Sequence, residues 1–92
     1  MLPVIWSHQA EADLLSIVSF IGERNARAAD QLGEAIRSST WPLLEHPYLF
    51  RRSQRVPNCR EIVVHPNYVV VYHVGAESIR VLRVLHVRRQ YP

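Results

Sequence analysis

Three runs rich in β-branched and aromatic residues fill the last third of the chain and constrain its fold more than any other feature. They span residues 60–64, 68–74 and 79–87, and the turn segments His65-Pro66-Asn67 and Gly75-Ala76-Glu77-Ser78 separate them. β-Branched and aromatic side chains favour strands, whereas glycine, proline and asparagine favour turns. The pattern therefore predicts a three-stranded antiparallel meander.

The first half of the chain predicts one short strand followed by two helices. Pro3-Val4-Ile5-Trp6 is the strand, and Ser7 and Asn25 are suitable N-cap residues for the two helices. Apolar residues recur at helical spacing after each cap. The first stripe is Ala10, Leu14, Ile17, Val18 and Ile21, and the second is Ala29, Leu32, Ile36 and Leu43.

Trp41-Pro42 interrupts the second stripe, because proline lacks a backbone donor and disfavours helix at the residue before it. The second helix is expected either to kink or to end there. The element order is then β-α-α-β-β-β. It predicts an α+β fold in which a helical hairpin packs on an antiparallel sheet, and residues 1–92 form a single domain. Leu15 and Phe20 lie off the first stripe, so part of a second face of that helix is also apolar.

The last run is apolar at both odd and even positions, which is typical of a central strand covered on both faces. Arg83 interrupts it, and a buried arginine needs a partner. We therefore expect Arg83 either at the margin of the core or paired with a carboxylate. The first stripe is expected to face one set of strand residues, namely Ile62, Val64, Val70, Tyr72, Leu82 and Val84.

Positive charge is concentrated in the second half of the chain. Residues 1–46 hold three arginines against six acidic residues, whereas residues 47–92 hold eight arginines against two, and there is no lysine. Arginine binds carboxylates and phosphates in a two-pronged geometry. The basic half is therefore expected to bind an acidic partner, and three of its arginines lie in the one long connection, residues 46–58.

Several classes of function lack a motif in this chain. The three glycines are scattered, so no phosphate-binding loop is present, and one cysteine with widely separated histidines gives no zinc-ligand spacing. We predict no cofactor and no metal. The apolar runs are too short to cross a bilayer, no leader segment is visible and Cys59 has no disulfide partner, so we predict a cytoplasmic protein with no membrane contact.

Short motifs along nearly the whole chain form a combination that is fairly specific to one protein superfamily. They are Trp6, Ala10, Asp13-Leu14, Ile17, Asn25, Ala28-Ala29, Leu44-Glu45-His46-Pro47, Val56-Pro57-Asn58-Cys59-Arg60-Glu61, Tyr68-Val69-Val70-Val71-Tyr72 and Val81-Leu82-Arg83-Val84-Leu85-His86. In this combination the chain resembles the RelE/ParE superfamily of toxins from bacterial type II toxin–antitoxin systems. Arg60-Glu61 and the ending from Leu85 to Pro92 look most like the ParE branch.

The resemblance implies a growth-inhibiting toxin of the kind associated with plasmid maintenance. It would be neutralised in a hetero-oligomer by a cognate ParD-like antitoxin carrying an acidic amphipathic segment. The ParE branch implies inhibition of DNA gyrase by binding, without an enzymatic activity of the toxin. Arg51, Arg52, Arg88, Arg89 and Tyr91 are the predicted partner-binding residues.

The RelE branch of the same superfamily implies a different activity, cleavage of mRNA on the ribosome without a metal. Such cleavage needs a base, an acid and cations around the phosphate. If the protein cleaves mRNA, the candidate catalytic residues are His86, Tyr91 and Arg83. If it inhibits gyrase by binding, we predict no catalytic residue. One fold hosts both activities, so fold alone does not choose between them.

Overall fold

The computed structural model describes residues 1–88 and has the predicted order of elements. The elements are β1 (Val4–Trp6), α1 (His8–Gly22), α2 (Ala26–Ser38), a 3-10 helix (Trp41–Leu44), β2 (Arg60–His65), β3 (Tyr68–Val74) and β4 (Ile79–His86). The α+β fold, with a helical hairpin packed on a sheet, is therefore confirmed. No helix in this part of the chain is both long and apolar enough to cross a membrane.

Both helices begin at the predicted caps. The Ser7 side chain accepts a hydrogen bond from the Ala10 N–H at 3.0 Å, and the Asn25 side chain accepts one from the Ala28 N–H at 3.0 Å. Each bond satisfies a backbone donor that the first turn of a helix leaves unpaired. Before Trp41-Pro42, α2 ends at Ser38, and a 3-10 helix with proline in its first turn follows. Trp41-Pro42 thus ends the helix instead of kinking it.

The sheet has the strand order β1-β4-β3-β2, so β4 is a central strand as predicted. The pairs β2–β3 and β3–β4 are antiparallel and form the expected meander. In contrast, β1 runs parallel to β4, from Val4 opposite Ile79 to Trp6 opposite Val81. The sheet is therefore mixed, because the helical hairpin and the meander return the chain beside β1 in the same direction.

The start of α1 takes over the edge of β4 where β1 stops. The backbone N–H and the hydroxyl of Ser7 donate to the carbonyls of Val81 and Leu82 at 2.9 and 3.0 Å. Two residues further along β4, the Val84 N–H donates to the Asp13 carboxylate at 2.9 Å. Polar groups of α1 therefore satisfy backbone groups that a longer β1 would have paired, and they fix the helix against the sheet.

The main core lies between the hairpin and the sheet. Its fully or nearly fully buried members are Ala10, Leu14, Ile36, Leu43, Ile62, Val70, Tyr72, Ile79, Val81 and Val84. A smaller cluster of Cys59, Val69, Val71 and Leu85 covers the opposite face of the sheet, since alternate residues of a strand point to opposite faces.

One predicted core contact is wrong. Leu82 packs against the smaller cluster and not against the helices. The register between β3 and β4 shifts here, because Val71 pairs with Arg83 while Tyr72 pairs with Val81. This irregularity adds a residue to β4 and moves Leu82 to the other face.

Candidate functional site

A buried carboxylate organises the basic connection at the start of β2. The Glu61 side chain is only 1% exposed, and its oxygens accept hydrogen bonds from Arg51 at 2.7 Å, Ser53 at 2.9 Å and Arg55 at 3.0 Å. Burial raises the pKa of Glu61, but these donors outweigh burial and hold the pKa below its usual value. Glu61 is therefore a charged anchor for residues 51–55.

The backbone of the same connection lies against the edge of β2. Ser53 N–H donates to the Cys59 carbonyl at 2.8 Å, and Glu61 N–H donates to the Arg51 carbonyl at 3.0 Å. Asn58 takes a left-handed conformation, with φ of 63°, where the chain turns back into β2. Asparagine tolerates this conformation better than most residues. The arginine-rich segment is consequently a fixed part of the sheet edge.

Arg52 and Arg60 lie directly opposite each other in this backbone pairing. The Arg60 guanidinium donates to the Phe50 carbonyl at 2.7 Å and lies 5.1 Å from the centroid of the Tyr48 ring. The exposed Arg52 side chain has no hydrogen bond or ion pair within residues 1–88. This segment contains two of the arginines that we predict to bind a partner protein. Arg51 is anchored on Glu61, whereas the Arg52 side chain is available to contact the partner.

On β4, two strands away from β2, Arg83 pairs with a carboxylate, which is one of the two placements that the sequence allowed. Its Nε and Nη2 atoms donate to Asp13 at 2.8 and 3.2 Å. Burial raises the pKa of Asp13, but the donors Arg83, Val84 N–H and Gln9 lower it by more, so the pKa lies below its usual value. Arg83 therefore links α1 to β4.

Two histidines flank Tyr68 near this ion pair. Ring centroids of Tyr68 and His86 are 5.1 Å apart, and those of His65 and Tyr68 are 5.8 Å apart. His86 Nδ1 accepts a hydrogen bond from the backbone N–H of Arg88, whose side chain is exposed. His86, Arg83 and Arg88 line one open cleft of about 440 Å³, together with Tyr68 and Phe20.

The other histidine of the sheet lies far from this cleft. His73 is near the opposite end of β3, and its Nδ1 donates to the Asn58 carbonyl at 2.9 Å. The histidines of the sheet thus do not converge on one centre. The predicted residues Arg89 and Tyr91 lie outside the described residues.

A second open surface lies on the outer side of the helical hairpin, and we call it the hairpin groove. It has a volume of about 880 Å³ and is lined by Glu11, Ala12, Leu14, Leu15, Val18, Ala29, Asp30, Gly33, Glu34, Arg37, Ser38 and Trp41. Leu15 and Trp41 are 66% and 65% exposed at its rim. An exposed apolar surface of this kind commonly marks a site of interaction.

Within residues 1–88, the side chains offer neither a cluster of metal ligands nor an exposed thiol. Residues 1–88 contain no group of three or more histidine, cysteine, aspartate or glutamate side chains that could hold a metal ion. Cys59 is buried in the smaller cluster, and burial raises the pKa of its thiol. A raised pKa disfavours the thiolate, which is the reactive form.

The sequence belongs to a recognised protein family. Residues 4–91 match the family model described as the ParE toxin of the type II toxin–antitoxin system parDE. The chain is a member of the ParE toxin family. It is also 32% identical over 89 residues to Toxin RelE2 of Caulobacter vibrioides, and the match covers 97% of this chain and 99% of that protein.

Solved structures confirm the ParE-like fold. The chromosomal ParDE toxin–antitoxin system from P. aeruginosa contains a similar chain, with a TM-score of 0.85, 23% identity and coverage of 96% of this chain and 98% of that one. YafQ from E. coli matches with a TM-score of 0.62 and 13% identity, covering 95% and 94% of the two chains. This ParE family member is therefore a type II toxin with the fold common to the RelE/ParE superfamily.

Two features of this ParE toxin were not anticipated from its sequence. The sequence indicated Glu61 only as part of the Arg60-Glu61 motif, whereas the structure makes it the anchor of the basic segment. The acidic wall of the hairpin groove, formed by Asp30 and Glu34, was not singled out. The signal for it was present, because carboxylates four residues apart lie on one face of a helix.

Proposed function

We propose that this ParE toxin blocks replication and growth by binding and inhibiting DNA gyrase, and that a ParD-like antitoxin neutralises it. Its membership of the ParE family over residues 4–91 supports a gyrase target. The toxin would act by occupying a site on its target and would catalyse no reaction itself. Gyrase acts on the chromosome, so the proposed place of action is the cytoplasm.

The observation that carries this proposal is the way the basic segment is built. Glu61 fixes Arg51 and Arg55 at the edge of the sheet, and Arg52 projects beside them without a partner in residues 1–88. An arginine that is held in place, as Arg51 is, loses little entropy on binding. The two-pronged guanidinium of Arg52, which no group in residues 1–88 occupies, suits a desolvated contact. Arg51 and Arg52 are thus proposed contacts with the target, together with Arg88, Arg89 and Tyr91.

The hairpin groove is the best surface for the antitoxin. Its floor is apolar, and Leu15 and Trp41 extend that apolar surface at the rim. A groove between two helices suits the apolar face of an amphipathic segment that folds on binding. The groove and the basic segment lie on different parts of the molecule, so one antitoxin chain would have to extend along the toxin to cover both.

A second candidate function is mRNA cleavage of the RelE type. The observation that favours it is the cleft in which His86 and Tyr68 lie near Arg83 and Arg88. A histidine beside a phenol and two guanidinium groups could supply proton transfer and charge stabilisation. Against it, Arg83 already binds Asp13 through two donors, so its charge is partly committed to holding the fold.

Purified toxin and gyrase give the deciding experiment. We expect the toxin to inhibit supercoiling in a dose-dependent way and to bind gyrase directly. We also expect Arg52→Glu to weaken both effects, whereas Arg24→Glu on the hairpin should not. In cells, induction should break DNA before mRNA is lost. Intact gyrase activity at saturating toxin, together with rapid cleavage of translated mRNA, would establish the RelE alternative.

A further inference from the structure

The α2 wall of the hairpin groove carries two carboxylates without an ion-pair partner. Asp30 and Glu34 are exposed, lie one helical turn apart, and form no ion pair with any side chain of residues 1–88. Like charges at this spacing repel and weaken a helix. A ligand that brought positive charge to this wall would remove that repulsion.

Arg37, the arginine that lines the groove, already has an ion-pair partner. Arg37 follows Glu34 by three residues, but its guanidinium binds both oxygens of Glu11 at 2.6 and 3.0 Å. It also lies 4.5 Å from the centroid of the Trp6 ring. Arg37 is therefore held against α1 and β1, and the charge of Glu34 is left for another partner.

Between this wall and α1 the surface is apolar and shallow. The helices approach closely at Gly33, where a Cβ atom would lie 3.0 Å from Cγ1 of Val18. Leu15 on α1 and Trp41 after α2 border the floor. The combination of an apolar floor and one acidic wall matches an amphipathic helix whose polar flank is basic.

We infer that the antitoxin segment that occupies the hairpin groove presents lysine or arginine side chains, about one helical turn apart, to Asp30 and Glu34. The inference rests on the proposed neutralisation by an antitoxin, and it states the charge of the segment at this site. The charge at this site is opposite to that of the acidic antitoxin segment that the family resemblance and the arginines predict. Acidic residues of the antitoxin would instead meet the arginines of the second half of the chain. The antitoxin thus carries opposite charges on the two parts that contact the toxin.

Calorimetric titration with the small protein encoded beside the toxin gene tests this inference. The variants are Asp30→Asn with Glu34→Gln, and Asp30→Lys with Glu34→Lys. The matched control is Glu23→Lys with Glu77→Lys, which changes the net charge equally at two exposed sites outside the groove. At about 0.15 M salt, where exposed charges act over about 8 Å, we expect a threefold or larger loss of affinity for the neutral variant. The loss should be at least tenfold for the reversed variant and less than twofold for the control.

The outcomes separate the inference from the proposal on which it rests. No binding of the neighbouring protein to wild-type toxin would overturn the assignment of that protein as antitoxin, and the inference with it. Tight wild-type binding that the reversed variant leaves unchanged or strengthens would overturn the inference alone. Circular dichroism of each variant verifies folding, and the neutral variant gives an independent result if the reversed one does not fold.

Discussion

The Asp13 carboxylate and the Arg83 guanidinium join the first helix to the last strand through two hydrogen bonds, at 2.8 and 3.2 Å. The Asp13 side chain is 10% exposed and also accepts the Val84 N–H. One carboxylate thus neutralises an arginine in the sheet and satisfies a backbone donor at the edge of β4. This arrangement explains how a charged residue can interrupt the apolar run from Val81 to Leu85 in a central strand.

Removal of Asp13 should therefore destabilise the protein. We expect Asp13→Ala to cost about 2 kcal/mol, because it removes charge-assisted hydrogen bonds and leaves Val84 N–H without its acceptor. Urea denaturation measures the loss. Arg83→Met in the Asp13→Ala background should cost little more. Additive losses from the two substitutions would show that the ion pair does not couple them.

Glu61 should make stability depend on pH at the acid side. Folding lowers the pKa of the Glu61 carboxyl below its usual value of 4.5. The stabilisation that the ionised carboxylate provides is therefore complete above pH 4.5, and it is lost as the pH falls through the lower pKa of the folded protein. We expect Glu61→Gln to destabilise the protein by about 2 kcal/mol at pH 7 and to flatten the decline of stability below pH 4.5.

The control for this titration is Glu77→Gln, which removes an exposed carboxylate in the β3–β4 turn. Its substitution should change the free energy of unfolding at pH 7 by less than about 0.5 kcal/mol. Asp13 contributes part of the remaining slope, since its pKa is also lowered by folding. Parallel pH profiles for wild type and Glu61→Gln would argue against the Glu61 anchor.

Two adjacent leucines of α1 test how the hairpin packs. Leu14 is 6% exposed in the main core, whereas Leu15 is 66% exposed at the groove. We expect Leu14→Ala to lower the free energy of unfolding by about 2–5 kcal/mol, through lost burial and the cavity left behind. Leu15→Ala should change it by less than about 0.5 kcal/mol. A loss near zero for Leu14→Ala in chemical denaturation would place Leu14 outside the core.

Paired substitutions near the C-terminus distinguish binding from catalysis. If the toxin acts by binding gyrase, Arg88→Ala with Arg89→Ala should reduce growth inhibition, because arginine pairs are well suited to contacts at an interface. His86→Ala with Tyr91→Phe should then reduce toxicity less than the arginine pair does, because His86 is not a proposed gyrase contact and phenylalanine keeps the aromatic ring of Tyr91. Growth is compared at equal amounts of folded protein. Loss of toxicity confined to the His86 and Tyr91 variant would assign the protein to the ribonuclease branch.

The sequence by itself determined the features that depend on neighbours a few residues away. Helical spacing located both helices, Ser7 and Asn25 marked their first turns, and alternating strand and turn residues gave the meander. The two possible placements of Arg83, at the margin of the core or beside a carboxylate, could also be predicted, since an unpaired charge is costly to bury. These interactions act along the chain, so a linear pattern records them.

Only the tertiary structure decided which distant groups meet. Asp13 and Arg83 are 70 residues apart, and nothing in their local sequence distinguishes Asp13 from the other carboxylates of the hairpin. The parallel direction of β1 and the register shift that moves Leu82 follow from how the elements dock. The roles of the acidic residues also depend on docking. Glu61 is buried under Arg51 and Arg55. Asp30 and Glu34 have no ion pair within residues 1–88, because Arg37 is held by Glu11. Whether a charge is an anchor or a binding surface depends on its burial and its partners in space, which no linear spacing specifies.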